Sequence, residues 1–216
     1  MVPEDEYVLM RKRMVAEQIA ARGIRDARVL AAMGSIPRHC FIPPDTLGWA
    51  YADGALPIGY GQTISQPYIV ALMTELLELE PKDCVLEVGC GSGYQAAVLA
   101  ELAAEVHTIE LIPELAQQAE KTLAGLGYTH VHVHIGDGSP GWLEAAPYDR
   151  ILVSAAAPQV PKALLEQLAE RGQLVIPVGS RSVQQLEIWR RARQEFNRRA
   201  GQEVCFVPLC GQFGWN

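Results

Sequence analysis

The sequence predicts an α/β fold of three layers, in which a mostly parallel sheet has helices on both faces and ends in an antiparallel pair of strands. From Cys84 onward, short apolar runs alternate with stretches of helical periodicity, the order expected when helices connect parallel strands. A glycine-rich segment follows the first of these runs. Near the C-terminus two strand-like runs, residues 184–191 and 204–209, are separated by a polar, arginine-rich stretch. We expect them to pair antiparallel at the sheet edge.

The N-terminal part of the chain is predicted to be helical and then irregular. Residues 7–22 place apolar side chains with helical spacing against a charged face, and Gly23 ends the pattern. A second short helix is predicted over residues 27–33. Residues 38–66 are rich in Pro and Gly and have little periodicity. Loops this long are uncommon in compact domains and are usually functional.

This irregular segment leads into a third helix, predicted from Pro67 to about residue 79, because proline favours the first position of a helix. Thr63 or Ser65 is placed to cap this helix with a side-chain oxygen. The same reasoning gives further helices at residues 94–103, 113–126 and 161–171, and strands at residues 85–88, 106–109, 131–135, 150–154 and 174–177.

Composition and charge exclude several classes of protein. The chain has 216 residues and a formal net charge of −7, which argues against a general nucleic-acid binder. Its acidic start lacks the basic-then-apolar order of a signal peptide, and no apolar run approaches the ~18 residues of a membrane span. The cysteines are odd in number and never spaced C-x-x-C, so neither a zinc knuckle nor a disulfide framework is indicated. We therefore expect a cytoplasmic protein.

Residues 85–93, Val-Leu-Glu-Val-Gly-Cys-Gly-Ser-Gly, form the segment around which the predicted fold is organised. A strand leads into Gly89, Gly91 and Gly93, and a helix follows. Glycine permits positive φ angles and close approach of the backbone to a ligand, so this strand–loop–helix unit predicts a binding site. The dinucleotide fingerprint G-x-G-x-x-G is not met, because Tyr94 occupies the position of its third glycine.

The charges around the glycine segment favour a cationic ligand over a dinucleotide. No Lys or Arg occurs from Asp83 to Glu120, whereas Glu87 lies two residues before the first glycine. A pyrophosphate would meet a carboxylate and no side-chain cation there. S-adenosylmethionine (SAM), which has a sulfonium, an ammonium and a ribose, suits such a site better. Glu110 ends the next apolar run, about where an acidic residue binds ribose hydroxyls.

A sheet of this kind, with an acidic strand before G-x-G-x-G, resembles the class I SAM-dependent methyltransferases, which implies a Rossmann-like methyltransferase fold. Residues 53–67, Asp-Gly-Ala-Leu-Pro-Ile-Gly-Tyr-Gly-Gln-Thr-Ile-Ser-Gln-Pro, are similar to the signature of protein-L-isoaspartate (D-aspartate) O-methyltransferases. The Gly-Gln-Thr-Ile-Ser-Gln-Pro part is close to diagnostic of that family. Further family blocks follow the family's order over nearly the whole chain, at residues 37–43, 85–93, 136–138, 147–158 and 206–209.

The resemblance implies a protein-repair enzyme. It would transfer methyl from SAM to the free carboxylate of L-isoaspartyl and D-aspartyl residues in damaged proteins, leaving S-adenosyl-L-homocysteine. The methyl ester would then collapse to a succinimide, which hydrolyses partly to normal aspartate. The partners implied are damaged proteins or peptides that contain isoaspartate, with no nucleic acid and no membrane. The family also implies a monomer.

The resemblance assigns roles to individual residues. Ser65 is implied as the active-site serine, with Thr63 and Gln66 near the methyl donor and the substrate carboxylate. Asp137 is implied to reach the adenine. The cofactor-binding set predicted from motif and resemblance together is Thr63, Gln66, Glu87, Gly89, Gly91, Gly93, Glu110, Leu111, Asp137 and Gly138, and no metal ligand is predicted.

The residue types present agree with this chemistry. A carboxylate has an unperturbed pKa near ~4 and is already ionised at neutral pH, so methyl transfer to it needs no general base. No His or Lys interrupts the Gln-Thr-Ile-Ser segment. The remaining task is to align the carboxylate oxygen with the methyl carbon, and positioning can contribute up to about 7–11 kcal/mol. A neutral hydroxyl at Ser65 would orient the anion, whereas a cation would blunt its attack.

We predict a single methyltransferase domain over residues 1–216, built from three parts. Residues 1–80 contain the N-terminal helices together with the substrate and active-site loop. Residues 81–180 form the SAM-binding β-α core. Residues 181–216 form the C-terminal antiparallel strands.

Simpler interpretations are open for several of these residues. The three glycines could form only a tight strand–helix turn, Ser65 could be only a helix N-cap, and Asp137 could lie in a plain turn. His130, His132 and His134 share one face of a predicted strand. The outer two are ~13 Å apart and cannot bind one ion, so an exposed face near a sheet edge is expected there instead of a metal site.

Two further groups of residues have no assigned role. The arginine-rich segment of residues 190–199 could attract RNA or an acidic peptide, although a solvated hairpin tip is the default interpretation. Four aromatic residues could either be core residues or line a peptide groove, and the sequence does not decide between these. They are Trp49, Tyr51, Tyr60 and Trp215.

Three other functions compete with protein repair. A methyltransferase that acts on RNA or a small metabolite is the main alternative, but no Asn-Pro-Pro-Tyr-like motif follows the fourth strand of the core. A non-catalytic SAM-binding or peptide-binding module has no evident use for a serine beside the methyl group. An NAD-dependent oxidoreductase is disfavoured by Glu87 and Tyr94.

Overall fold

The computed structural model of the chain describes residues 3–215. Strand and helix alternate from Cys84 onward, as predicted, and a largely helical N-terminal part precedes them. The α-helices are α1 (Glu4–Arg13), α2 (Ala27–Ser35), α3 (Pro67–Leu76), α4 (Tyr94–Ala100), α5 (Pro113–Gly125) and α6 (Lys162–Glu166). The strands are β1 (Leu56–Gly59), β2 (Gln62–Ile64), β3 (Cys84–Val88), β4 (Glu105–Glu110), β5 (Val131–Ile135), β6 (Tyr148–Val153), β7 (Leu168–Gly179), β8 (Gln184–Ala192) and β9 (Glu195–Val204).

Strands β3 to β9 form one seven-stranded sheet in the order β5-β4-β3-β6-β7-β8-β9. The five strands from β5 to β7 in this order pair in parallel, whereas β8 runs antiparallel to β7 and β9 antiparallel to β8. The predicted α/β class, the mostly parallel sheet and the antiparallel C-terminal strands are therefore confirmed. Among residues 3–215, no helix is long and apolar enough to cross a membrane.

Both faces of the sheet are covered by apolar side chains, which explains why its central strands are continuously hydrophobic in sequence. On one face Val85, Val106 and Val175 pack in a core shared with the N-terminal helices and α3 to α5. On the other face Leu86 and Ile151 belong to a second core with α6. The strand order reverses at β3, between its neighbours β4 and β6. In open α/β sheets, ligands bind beyond the carboxyl ends of the strands at such a point.

Three predictions about the N-terminal part needed correction. The helix predicted over residues 7–22 is α1 followed by a π-helical segment, Met14–Ile19, and a 3₁₀ turn, although Gly23 ends it as expected, with φ of 105°. The third helix ends at Leu76 rather than near residue 79. Its N-cap is Gln66, which makes no side-chain capping bond, so neither Thr63 nor Ser65 caps it. Pro67 alone begins the helix, because its N–H group is missing and needs no cap.

The helix predicted over residues 161–171 is wrong in its second half. Helix α6 is only Lys162–Glu166, and β7 begins at Leu168, which pairs with Tyr148 of β6. Leu164, Leu165 and Leu168 have helical spacing in sequence, but all three enter the second core. Burial of Leu168 as the first residue of a strand therefore gave a false helical pattern.

The arginine-rich stretch is a strand, not a linker between strands. β9 spans Glu195–Val204 and pairs with β8, so the predicted partner strand at residues 204–209 is wrong. Because β9 is the edge strand and most of its residues are exposed on both faces, it has no alternation of apolar and polar residues to detect. The hairpin tip lies at Arg193, which has φ of 59°.

Candidate active site

The glycine segment after β3 has the backbone geometry that its sequence suggested. Gly89, Gly91 and Gly93 have φ of 92°, 53° and 87°, a region that residues with side chains rarely adopt. The N–H groups of Gly89 and Cys90 donate to the carbonyl oxygen of Ile109 at the end of β4, at 2.9 and 3.1 Å. The loop is thereby fixed against the neighbouring strand.

A cavity opens beside this loop at the carboxyl ends of β3 and β4. The empty space between its walls is about 840 Å³, a value that includes the part that opens to solvent. No Lys, Arg or His is among the described residues that line it. The predicted site residues in its wall are Thr63, Ser65, Glu87, Gly89, Gly91, Glu110, Leu111 and Gly138.

Glu87 brings a carboxyl group to the floor of this cavity, and that group is fully buried. The hydroxyl of Thr108 donates to its Oε2 at 2.6 Å, and the hydroxyl of Ser154 lies 3.5 Å from its Oε1. Burial raises the pKa of Glu87 to about 8, because the Thr108 hydrogen bond only partly offsets desolvation and the charge of Glu110 adds to it. No cationic side chain pairs with this carboxyl group among residues 3–215.

Glu110 closes the adjacent wall and organises the loop. Its Oε2 accepts the N–H of Gly91 at 2.7 Å, and its Oε1 accepts the N–H of Ile112 at 3.0 Å. Each carboxylate oxygen can accept a second hydrogen bond, so a capacity remains on both for a ligand hydroxyl. Glu110 is 6% exposed, which is compatible with a group that faces a cavity rather than bulk water.

Gly93 and Asp137 lie near the cavity but do not line it, and Gly138 has a packing role besides lining it. Gly93 packs behind the loop, where a Cβ would lie 3.2 Å from side-chain atoms of α5. Gly138 allows close packing on β3, because a Cβ there would lie 2.7 Å from Val88. The carboxylate of Asp137 accepts the N–H groups of Ser139 and Gln212, at 2.8 and 2.7 Å. Although burial opposes ionisation, these bonds hold the pKa of Asp137 below its usual value.

A second cavity meets the first at Ser65. It shares Thr63, Ser65, Ser154 and Val207 with the wall of the first cavity. Gln66 lines only this second cavity, where its side chain donates to Asp53 Oδ1 at 2.7 Å. The residues predicted at the point of methyl transfer thus lie between two cavities, one of which is acidic and free of cationic side chains.

Arg38 supports the site, although no role was predicted for it from the sequence. Its side chain is fully buried, and its Nη2 donates to the backbone carbonyl of Ser65 at 2.8 Å while its Nε donates to that of Ala50 at 2.9 Å. The guanidinium lies over the ring of Tyr94, 4.9 Å from its centre. Burial lowers the pKa of Arg38 to about 10, so it remains charged. Nη1 has no hydrogen-bond partner.

The position of Arg38 in the sequence could not reveal this contact. It lies in the family block of residues 37–43, but its partners are 12 and 27 positions further along the chain. An arginine that is completely buried without a carboxylate partner among the described residues has a high desolvation cost. We infer that its function is to fix the backbone on either side of the active-site loop.

Of the four undecided aromatic residues, one is a core residue, and none of the four lines either of the two cavities. Tyr51 is buried in the N-terminal core, whereas Trp49 and Tyr60 are exposed by 67% and 60%. Tyr60 has φ of 53° at the tip of the β1–β2 hairpin. Trp215 donates its indole N–H to the carbonyl oxygen of Ala156 at 3.1 Å.

The chain matches a known protein family over nearly its full length. Residues 10–214 match the family described as protein-L-isoaspartate(D-aspartate) O-methyltransferase. The chain belongs to this family. The resemblance found in the sequence motifs is thereby confirmed, and with it the prediction that the chain is an enzyme, a SAM-dependent methyltransferase.

Relatives of high identity extend over the same length. A protein-L-isoaspartate O-methyltransferase of Methanoregula boonei is 57% identical over 205 residues, which cover 95% of this chain and 94% of that protein. A second, from a Picosynechococcus strain, is 54% identical over 207 residues, covering 96% and 93% of the two chains. The similarity therefore includes the N-terminal and C-terminal parts as well as the core.

Solved structures of the family have the same fold. One named protein-L-isoaspartate O-methyltransferase superposes with a TM-score of 0.86 at 28% identity, covering 94% of this chain and 67% of that one. Another, from Plasmodium falciparum, was solved in complex with S-adenosyl-L-homocysteine. Its TM-score is 0.79 at 25% identity, and the coverage is 93% of this chain and 98% of that one.

The first cavity of this family member fits the cofactor predicted for it. SAM bears positive charge, and the cavity offers it a buried carboxyl group at Glu87 that lacks a cationic partner among the described residues. Gly89 and Gly91 line the same cavity, with positive φ angles that residues with side chains rarely adopt. The alternative of a methyltransferase for RNA or a small metabolite is not favoured, because the family match spans residues 10–214.

Proposed function

We propose that this chain repairs damaged proteins by methylating the free carboxylate of L-isoaspartyl and D-aspartyl residues with SAM. Family membership supports the reaction class. The observation that carries the proposal is the position of Ser65, which lines both the acidic cavity and the cavity beside it. One cavity would then hold the methyl donor and the other the substrate.

The acidic cavity would bind the donor through its carboxylates. When bound, SAM supplies a methyl group on a positively charged sulfur, which is open to attack by an anion. Glu87 is the group assigned to the positive charge of the ligand, and Glu110 to the ribose hydroxyls. Leu111 and the glycine segment would line the cleft, while Gly93 and Gly138 maintain its shape through packing.

Asp137 would contribute from the rim of the donor site. Its two oxygens already accept backbone N–H groups, and each retains the capacity for one more hydrogen bond. The adenine amino group is the donor assigned to that remaining capacity. The same carboxylate holds Gln212, which keeps residues 207–210 in the cavity wall.

The protein's task in the chemical step is alignment, since the substrate carboxylate is ionised without assistance. The hydroxyl of Ser65 would donate to one carboxylate oxygen and leave the other directed at the donor. Thr63 shares the wall between the cavities and would assist in excluding water from it. The buried guanidinium of Arg38 would keep the Ser65 backbone in register through its bond to the Ser65 carbonyl.

The second cavity is proposed to receive the damaged peptide. Its floor contains the ion pair of Arg22 and Asp53, with a 3.0 Å contact, and Gln66 bonds to the same aspartate. Gln66 would then act on the substrate side of Ser65. We further propose that the protein works as a cytoplasmic monomer and does not bind nucleic acid, in agreement with its net charge of −7.

The proposal is tested with labelled SAM and two peptides that differ only in aspartate versus isoaspartate at one position. The expected result is transfer of label to the isoaspartyl peptide and its release as methanol in base. Equal labelling of both peptides, or label that is stable to base, would rule out carboxyl methylation of damaged sites. A tRNA or bulk RNA sample in the same assay should remain unlabelled.

A further inference from the structure

A cluster of metal-ligand side chains lies at the amino end of β3, away from the donor cavity. Cys84 is paired with Glu105 on the neighbouring strand β4, and His107 follows Glu105 on the same face. His132 of β5 is in turn paired with His107. Three parallel strands thus bring a thiol, a carboxylate and two imidazoles to one patch of the sheet.

The donor atoms of this cluster are close enough to share an ion. One ligand atom each from Cys84, Glu105 and His107 lies within 4.8 Å of the others. The Oε1 of Glu105 is 3.5 Å from the Nε2 of His107 and 3.0 Å from the Nε2 of His132. Ligands of a tetrahedral zinc ion are separated by about 3.3–3.8 Å, which follows from its bond lengths. Cys84, Glu105 and His107 therefore need only small side-chain movements to bind one ion, whereas His132 lies outside this group of three and needs a larger movement.

A second shell of contacts orients His107. Its Nδ1 is 3.1 Å from the Nε2 of His134, which leaves the Nε2 of His107 directed at Glu105. His134 is itself stacked on Trp142, with ring centres 4.1 Å apart, and Tyr148 meets His107 edge-on. Metal-binding histidines normally bond through their second nitrogen in this way.

The electrostatic environment suits a cation. Besides Glu105, two further carboxylates lie near Cys84: Asp149 accepts the N–H of Cys84 at 2.9 Å, and Asp83 precedes Cys84 in the chain. Arg150 forms an ion pair with Asp83, at 3.4 Å.

We propose that Cys84, Glu105 and His107, with His132 as a fourth ligand, form a binding site for a divalent metal ion of the zinc class. One thiolate, one carboxylate and two imidazoles are a ligand set that such ions accept. The side chains of Glu105 and His132 are 48% and 44% exposed, which gives an ion a path from solvent. This site was not predicted from the sequence, because the histidines of β5 alone cannot surround one ion.

The site is structural in its position. Cys84 and Glu87 are three residues apart on β3, so about 10 Å of strand separates the cluster from the donor cavity. An ion there would join β3, β4 and β5 at their amino ends. Binding to the folded state alone would stabilise the protein without taking part in methyl transfer.

The experiment titrates Co²⁺ into chelator-treated protein and follows absorbance. We expect one equivalent to bind, with a thiolate-to-metal band in the near ultraviolet and the visible bands of tetrahedral Co²⁺. The near-ultraviolet band should vanish in Cys84→Ser and persist in Cys205→Ser, a matched control at an exposed thiol. Absence of the band in the natural protein, its persistence in Cys84→Ser, or its equal loss in Cys205→Ser would overturn the proposal.

Thermal unfolding with Zn²⁺ tests the site even if Cys84→Ser folds poorly. One equivalent of Zn²⁺ should raise the melting temperature of the natural protein, and His132→Asn should remove most of that increase. His130→Asn is the control, because His130 bonds to the carbonyl of Ala100 instead of facing the cluster. No increase with Zn²⁺, or an equal loss in both histidine variants, contradicts the site. Neither readout depends on methyl transfer, so failure of the metal-site proposal would leave the proposed repair activity unaffected.

Discussion

The two ends of strand β3 handle charge in opposite ways. At its carboxyl end Glu87 is fully buried, accepts a hydrogen bond from Thr108 and faces a cavity whose described walls contain no cationic side chain. At its amino end Cys84 is partly buried beside Glu105 and His107, where solvent can enter. Because Cys84 and Glu87 are an odd number of residues apart, they also point to opposite faces of the sheet.

The difference lies in what each end does with a proton. Glu87 retains its proton in the empty cavity and would give it up when an organic cation arrives, so it favours a ligand that binds and leaves. The group around Cys84 combines one soft thiol with two imidazoles and a hard carboxylate around one point, a mixed set that suits a metal ion of the zinc class. Each of the following predictions either compares the two ends of β3 or tests the donor cavity at its carboxyl end.

The largest effect is expected from Glu110→Ala. This change removes the acceptor assigned to the ribose hydroxyls and leaves the N–H groups of Gly91 and Ile112 without their partner. SAM binding should weaken by about 2–4 kcal/mol, as expected for charge-assisted hydrogen bonds left unmade. Isothermal titration with SAM measures this. Glu114→Ala, an exposed position on α5, is the control, and an unchanged dissociation constant for Glu110→Ala would remove Glu110 from the donor site.

Ser65→Ala should affect turnover but not donor binding. The lost hydrogen bond to the substrate carboxylate is expected to lower kcat by ~10²-fold or less, while SAM affinity stays nearly intact. Ser182→Ala, in an exposed turn, provides the matched control. If titration with SAM shows that Ser65→Ala has lost donor binding, Ser65 binds the donor and not the substrate carboxylate, which contradicts the role proposed for it.

Arg38→Lys tests whether the buried guanidinium positions the loop. Lysine cannot bond to the carbonyls of Ala50 and Ser65 with one planar group, so we expect a loss of about 1–3 kcal/mol in the free energy of unfolding. We also expect a several-fold lower kcat with unchanged SAM affinity, measured well below the melting temperature. Arg25→Lys, at an exposed site, is the control. A loss of stability with full turnover would make Arg38 merely structural.

Glu87→Gln should stabilise the empty protein at neutral pH. The pKa of Glu87 is raised from 4.5 to about 8, so between these values the unfolded chain releases a proton that the folded chain keeps. Stability from this group is therefore complete below pH 4.5 and is lost as pH rises towards 8. The glutamine variant should be more stable by about 1–3 kcal/mol at pH 7 and no different at pH 4. Denaturant unfolding at both pH values measures this.

The same variant should change how SAM binding depends on pH. In the natural protein, affinity should rise from pH 6 to 8 as Glu87 ionises, with Glu110 and Cys90 the neighbouring titratable groups. In Glu87→Gln the affinity should be lower and nearly flat over that range. A natural protein whose affinity does not vary with pH would show that the ligand's charge lies elsewhere.

Cys84→Ser is expected to have the smallest effect on methyl transfer. SAM affinity and kcat should stay within about twofold of the natural protein in metal-free buffer, because Cys84 and Glu87 are about 10 Å apart along β3 and lie on opposite faces of the sheet. A larger loss, measured in the same titration and peptide assay, would mean that the two ends of the strand are coupled.

What the sequence could predict was local. The spacing of Glu87, the glycines and Glu110 follows from one strand–loop–helix–strand unit, and the structure brings Glu87, Gly89, Gly91 and Glu110 to one cavity. Arg38 could not be predicted as a support for Ser65, because its bonds are to backbone atoms far along the chain. The cluster at Cys84 depends on the register of three strands, which no single segment encodes.

The errors in secondary structure have the same origin. Leu168 has helical spacing in sequence and only its pairing with Tyr148 shows it to be in a strand, and β9 shows no strand pattern because most of its residues are exposed. The hydrogen bond of Asp137 with Gln212 also depends on a distant partner, since it joins segments 75 positions apart. An element that buries one face has a periodic hydrophobic pattern in its own sequence. An element whose structure depends on pairing with a segment far along the chain has no such local pattern.

The edge strand β9 has a consequence for how the molecule behaves in a crowded solution. An open edge offers unpaired N–H and C=O groups on which a second chain could add a strand, the first step towards aggregation. Arg198 and Arg199 are exposed in the middle of β9, and the Arg198 guanidinium forms an ion pair with Glu187 of β8. An incoming strand would have to displace or neutralise these charges. We therefore expect these arginines to disfavour the addition of an eighth strand at this edge of the sheet.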